Sequence, residues 1–231
     1  MAGYSGHTAG MGMDALVFDF DGLLMDTETT SLLAWQDLWR WHGLELDVAG
    51  FFARHGGDVT AERYAALAAA VGPAYDQDAS HARRQAVRTE LYAALELSAG
   101  IGPWLDDAEA LGIRLAVASS SPREWIDGHL DRIGQRDRFE LLACGDEVRA
   151  AKPAPDVYLL ALSRLGVPAE RALAFEDTVH GVAAAQAAGL RCVAIPHPNA
   201  DPALFTTADV LLTSAAEISL ESVIARAERR Q

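Results

Sequence analysis

Hydrophobic and polar positions follow two rhythms along the chain. Ala15-Leu16-Val17-Phe18 is a short apolar run that stops at Asp19, the pattern of a buried strand whose C-terminal end meets solvent. From about Thr27 to Ser98 apolar residues recur at helical spacing, in segments near 28–43, 60–71 and 78–97. Arg54-His55-Gly56-Gly57-Asp58 and Gly72-Pro73 interrupt that block. After Gly100, apolar runs at 113–118, 139–144, 171–175, 190–195 and 209–212 alternate with helical stretches near 103–111, 122–134, 154–165, 179–188 and 215–229. Strands alternating with helices predict a parallel sheet covered on both faces. Gly112, Gly166 and Gly189 stand where such helices need C-terminal caps. One strand before the helical block and the others after it predict an α/β core, residues 14–26 plus 99–231, interrupted by a helical insertion at 27–98. Residues 1–13, rich in Gly and small polar residues, read as a disordered extension.

Composition narrows the function classes. The 231 residues carry 19 Lys plus Arg against 33 Asp plus Glu, a net charge of −14. Such a chain repels polyphosphate backbones and anionic bilayers, so neither nucleic acid nor membrane is an expected partner. No apolar run reaches the ~20 residues of a membrane span. The opening MAGYSGHTAGMGM has neither the basic start nor the apolar stretch of a signal peptide, which points to the cytoplasm. Cys144 and Cys192 sit in apolar strand-like segments and read as small buried hydrophobes, with a disulfide or a thiol nucleophile as the alternative. Lys152 is the single lysine among 18 arginines. Either it survives by chance or a compact ammonium is required there, because Lys and Arg are not interchangeable at a tight site.

In an open parallel sheet, ligands bind beyond the carboxyl ends of the strands. The first strand ends in Asp19 and Asp21, followed by Gly22 and Asp26. Two acids at one strand end are costly unless a cation lies between them, and hard Mg2+ prefers carboxylate, carbonyl and water oxygens. The second strand ends in Ser119, Ser120 and Ser121; Lys152 follows the third; the fourth ends in Glu176 and Asp177. Carboxylates, a hydroxyl and an ammonium on one edge suit metal-assisted phosphoryl transfer: cation and ammonium neutralise the phosphate oxygens, the hydroxyl orients one of them, and a carboxylate attacks in line.

The segments DFDGLLMDTE, AVASSS, the lysine of RAAKPAPDVY and the acidic pair of LAFEDTVHGVAAAQAAG resemble, in that order, the four motifs of the haloacid dehalogenase superfamily of phosphotransferases. The resemblance covers nearly the whole chain from residue 14. It implies a Rossmann-like parallel sheet with helices on both faces and an inserted α-helical cap. It further implies that Asp19 is the nucleophile that forms an aspartyl-phosphate, and that Asp21 protonates the leaving alcohol and then activates water. Ser119 would orient a phosphoryl oxygen and Lys152 would bridge that phosphate and Asp19, with Gly22 and Ser120 beside the substrate. Mg2+ would be held by Asp19, the Asp21 carbonyl and Asp177, with Glu176 adjacent or acting through water.

Residues also discriminate within that superfamily. Its dehalogenases lack an acid two residues after the nucleophile, where Asp21 stands here. Its phosphonate hydrolases need a cap lysine, and residues 27–98 contain none. Its β-phosphoglucomutases place a histidine ten residues after the acid/base, where this chain has Ser31, and also rely on a cap lysine. These departures favour water as phosphoryl acceptor. The expectation is a phosphatase of a small phosphorylated metabolite, a sugar or nucleoside-like or C-glycoside monophosphate, acting as a monomer. The sugar phosphomutase is the alternative, and a regulatory or binding module of the same fold is the second, although no motif residue is lost. In the cap, Arg54, His55 and Gly57 resemble a substrate-specificity loop, with solvated loop residues as the plainer reading. Trp35 and Trp39, at i, i+4, form either a cap core or a platform for a substrate ring.

Overall fold

The computed structural model describes residues 12–52 and 59–229; Arg54, His55 and Gly57 lie outside the described residues. Six strands form one parallel sheet in the order β3-β2-β1-β4-β5-β6. They are β1 (Ala15–Phe18), β2 (Arg114–Ala118), β3 (Leu141–Ala143), β4 (Ala172–Glu176), β5 (Arg191–Ala194) and β6 (Val210–Leu211). The order reverses at β1, which pairs with β2 on one side and β4 on the other, Phe18 opposite both Val117 and Phe175. A crevice opens at such a reversal, beyond the strand ends.

Alternation along the strands divides the core by side-chain size. Leu16, Phe18, Leu115, Val117, Leu173 and Phe175 point to one face, where Phe18 and Phe175 stack with ring centroids 4.6 Å apart. That face is covered by α5 (Ile101–Leu111), α6 (Arg123–Arg132) and α9 (Leu220–Arg229). Ala15, Val17, Ala116, Ala118, Ala174, Cys192 and Ala194 point to the other. Their small side chains let α7 (Asp156–Leu165) and the alanine-rich α8 (Val179–Ala187) lie close against the sheet. Both cysteines are free and buried, and burial pushes the Cys144 thiol up to about 12.

Between β1 and α5 lie α1 (Thr27–Trp41), α2 (Val48–Phe52), α3 (Thr60–Val71) and α4 (Gln77–Ala93). They enclose a separate apolar cluster of Leu32, Trp35, Leu38, Phe51, Phe52, Tyr64 and Leu67. Trp35 is fully buried in it, with Tyr64 edge-on at 4.8 Å, so of the two roles open to this tryptophan the structure shows the core role. The two connections to the sheet run side by side: Met25 bridges Leu97, and Ser98 N–H donates to the Leu24 carbonyl at 2.8 Å. Across the top, Thr29 Oγ1 lies 3.0 Å from His197 Nε2, and Phe52 stacks on the His197 ring at 4.3 Å. No helix among the described residues is long and apolar enough to cross a membrane.

Candidate active site

Strand ends β1, β2 and β4 and the loop after β3 deliver Asp19, Ser119, Glu176, Asp177 and Lys152 to one place. The backbone carries Asp19 there through the β1–β4 ladder, its N–H donating to the Phe175 carbonyl at 2.9 Å. Lys152 enters from the opposite side, its side chain 7% exposed. The ammonium donates to Asp19 Oδ1 at 2.5 Å, Glu176 Oε1 at 2.6 Å and the Ala118 carbonyl at 2.9 Å. Three acceptors take its three protons, a set that the planar guanidinium fork could not satisfy in the same space. Burial alone would drive the ammonium to lose its proton, but Asp19 and Glu176 outweigh it and raise the Lys152 pKa. The same burial raises Asp19 and Glu176, with Lys152 opposing it in both.

Glu176 is fully buried and also accepts from Tyr158 Oη at 2.6 Å, so its Oε1 serves mainly to anchor the lysine. Two glycines make room for this acid cluster. A Cβ at Gly181 would meet the Glu176 carboxylate at 1.8 Å, and one at Gly22 would meet Asp177 Oδ2 at 2.1 Å. Gly22 has φ +81°, a region that side chains disfavour, and its N–H donates to the Met25 carbonyl at 2.8 Å and to Thr27 Oγ1 at 3.0 Å.

Asp177 is 2% exposed, and both its carboxylate oxygens are buried without a hydrogen-bond partner. Burial, followed by the charges of Asp19 and Glu176, raises its pKa well above the ordinary carboxylate range. Asp19, Glu176 and Asp177 each bring a ligand oxygen within 4.8 Å of the others. Unpaired buried carboxylates are among the most costly arrangements in a protein interior unless a cation joins them. An all-oxygen donor set fits a hard divalent ion.

The cluster opens into a cavity of about 690 Å³. Its sheet side carries Asp19, Asp21, Ser119, Ser120, Lys152 and His180; the opposite wall carries Glu28, Ser31, Arg63, Arg84, Arg88 and Tyr92. The sequence reading therefore assembles: Asp19, Asp21, Ser119, Ser120 and Lys152 share one wall, with Gly22 and Glu176 packed beside them and Asp177 behind Gly22. It passed over Arg84, Arg88 and Tyr92, which recur every four residues on α4 and thus face the cavity together. It gave no role to Ser121, which it placed at the end of the second strand, and passed over Trp125; their side chains donate to Asp21 at 2.5 and 3.0 Å. Glu28 lies among Asp21, Asp26 and Asp19; burial first, then the Asp21 charge, raise its pKa to about 7. Arg84 is 5% exposed, its guanidinium 4.3 Å over the Trp35 ring.

A family model described as haloacid dehalogenase-like hydrolase matches residues 13–189. Protein CbbY of Rhodobacter capsulatus is 36% identical over 213 residues, 86% of this chain and 92% of that protein. A phosphorylated carbohydrates phosphatase of Thermotoga maritima is 32% identical, over 89% of this chain and 96% of that protein. Among solved structures, a hydrolase from Deinococcus radiodurans with bound phosphate and sodium superposes with a TM-score of 0.79 at 27% identity, covering 94% of this chain and 97% of its own.

Proposed function

The chain belongs to the haloacid dehalogenase-like hydrolases, and from that footing we propose that it is a Mg2+-dependent phosphatase that passes the phosphoryl group of a small sugar or nucleoside-like monophosphate through Asp19 to water. The observation that carries the reading is the Lys152–Asp19–Glu176 triad set against the unpaired Asp177 carboxylate. Asp19, the Asp21 carbonyl and Asp177 would hold Mg2+, with Glu176 adjacent. When bound, the ion supplies positive charge to the phosphoryl oxygens.

Asp19 attacks phosphorus, the bond to the leaving oxygen breaks, and Asp21 gives that oxygen its proton. Lys152 keeps Asp19 aimed and favours its charged form against the effect of burial, and balances charge that develops on the phosphoryl oxygens. Ser119 and Ser120 orient those oxygens. Asp21, now a base, then takes a proton from water; the water oxygen bonds to phosphorus and Asp19 leaves as carboxylate. The wall of Glu28, Ser31, Arg63, Arg84, Arg88 and Tyr92 surrounds the leaving group, residues 27–98 acting as a cap that excludes bulk water. Ser31 offers that wall a hydroxyl where a mutase would place imidazole, which supports water as the acceptor. The relative named as a phosphorylated carbohydrates phosphatase supports a sugar phosphate as substrate, and action as a monomer is part of the same proposal.

Phosphate release from a panel of sugar phosphates, nucleotides, flavin mononucleotide and aromatic glycoside phosphates tests this, with Mg2+, with chelator and with Asp19→Asn. Release that needs the metal and disappears in the variant is expected. β-Glucose 1-phosphate converted to glucose 6-phosphate without net release would establish the mutase instead.

A further inference from the structure

Asp21 is the residue of the site with the greatest demand on its orientation, because it must reach the leaving oxygen in one step and water in the next. Both of its carboxylate oxygens are held by one stretch of the core. Ser121 Oγ donates to Oδ2 at 2.5 Å and Trp125 Nε1 donates to Oδ1 at 3.0 Å. Ser121 N–H in turn donates to Ser119 Oγ at 3.2 Å, so the turn after β2 ties the phosphate-orienting hydroxyl to the acid/base.

The indole does not stand alone. Its ring packs edge-on against His129 of α6 at 4.2 Å and against Tyr92 of α4 at 5.0 Å. Tyr92 Oη accepts from Arg88 Nη2 at 3.3 Å, and both residues line the cavity from the helical insertion. A chain of contacts thus runs from the insertion, through Trp125, to one oxygen of Asp21. An aspartate without such donors samples several side-chain rotamers, and a misplacement of ~1 Å in a reacting group costs on the order of 100-fold in rate.

We propose that Trp125 and Ser121 are positioning residues that fix the Asp21 carboxyl toward the leaving oxygen, with Tyr92 tying that orientation to the insertion. This rests on the assignment of Asp21 as acid/base. It makes a prediction that packing alone does not. Protonation by Asp21 matters for an alkyl ester, whose leaving oxygen is a strong base, and hardly at all for p-nitrophenyl phosphate, whose leaving group departs as a stable anion. The parameter kcat/KM includes only steps up to departure of the leaving group, so it isolates that proton transfer from the later hydrolysis.

The test measures kcat/KM for p-nitrophenyl phosphate and for the best alkyl phosphomonoester of the panel, in the native chain, Asp19→Asn, Asp21→Asn, Trp125→Phe, Ser121→Ala and Ser121→Thr. Trp125→Phe keeps an aromatic ring and removes the donor; Ser121→Thr keeps the hydroxyl. Trp125→Phe and Ser121→Ala are expected to lower the alkyl value about tenfold or more and to leave the aryl value within about twofold, a weaker form of the Asp21→Asn pattern. Ser121→Thr is expected to recover most of the alkyl rate. An equal fall on both esters, or no fall on either, would overturn the inference while Asp19-dependent hydrolysis by the native chain keeps the phosphatase reading intact. Absence of Asp19-dependent hydrolysis in the native chain would overturn both.

Discussion

At the scale of single residues, the site depends on a missing methyl group as much as on any functional side chain. Gly22→Ala would drive Cβ into the Asp177 carboxylate and strain a backbone at φ +81°. We expect kcat to fall about 100-fold or more, with a stability loss of only ~1–2 kcal/mol in urea unfolding. Glu28 yields a pH prediction. Its folded pKa, about 7, lies above the ordinary carboxylate value, so between about 4.5 and 7 the native state holds a proton that the unfolded state has released. Stability therefore falls as pH rises through that window and levels off above it. Glu28→Gln should flatten the decline by about 3 kcal/mol when the urea unfolding of native and variant is compared across pH. The motif carboxylates and Ser119 were legible because each follows an apolar run and so stands at a strand end; Lys152, in the loop nine residues beyond Ala143, was legible as the single lysine and through the motif RAAKPAPDVY. The link of Ser121 and Trp125 to Asp21 was not, since these bonds span 100 and 104 residues and leave no periodic trace.

At the scale of elements, the insertion is fastened to the core at its hinge, at α6, where Tyr92 packs on Trp125 and His129, and beyond β5, where His197 meets Thr29 of α1 and Phe52 of α2. His197→Ala should speed hydrogen exchange across residues 27–52 severalfold and raise KM, with the α/β core exchanging as before. Strands were read to within a residue or two, because a buried parallel strand leaves a continuous apolar run with sharp ends. The helices of the insertion were also close: the stretch expected near 28–43 is Thr27–Trp41. Two features escaped. The five residues of Val48–Phe52 are fewer than two helical turns, too short for a period to show. The stretch expected as one helix at 215–229 divides, because Ser219 Oγ accepts from the Ser222 N–H at 3.3 Å and starts α9 afresh.

At the scale of the whole molecule, a net charge of −14 surrounds a site proposed to bind a phosphate dianion. Added salt screens that repulsion, so kcat/KM for an anionic ester should rise, by about two- to threefold between ~10 and ~150 mM, at fixed free Mg2+. A rate that falls with salt would mean that the local field of Lys152 and the cavity arginines dominates capture. Lys152 has a further consequence for anyone handling the protein. The chain's only ε-amine is 7% exposed and locked among three oxygens. Succinimidyl esters, aldehyde fixatives and enzymes that acylate lysine thus find no side-chain amine on the outer surface. Even an acyl phosphate drawn into the cavity would meet a protonated ammonium with no free electron pair, so the mass spectrum of acylated protein should show Lys152 unmodified for as long as the site stays folded.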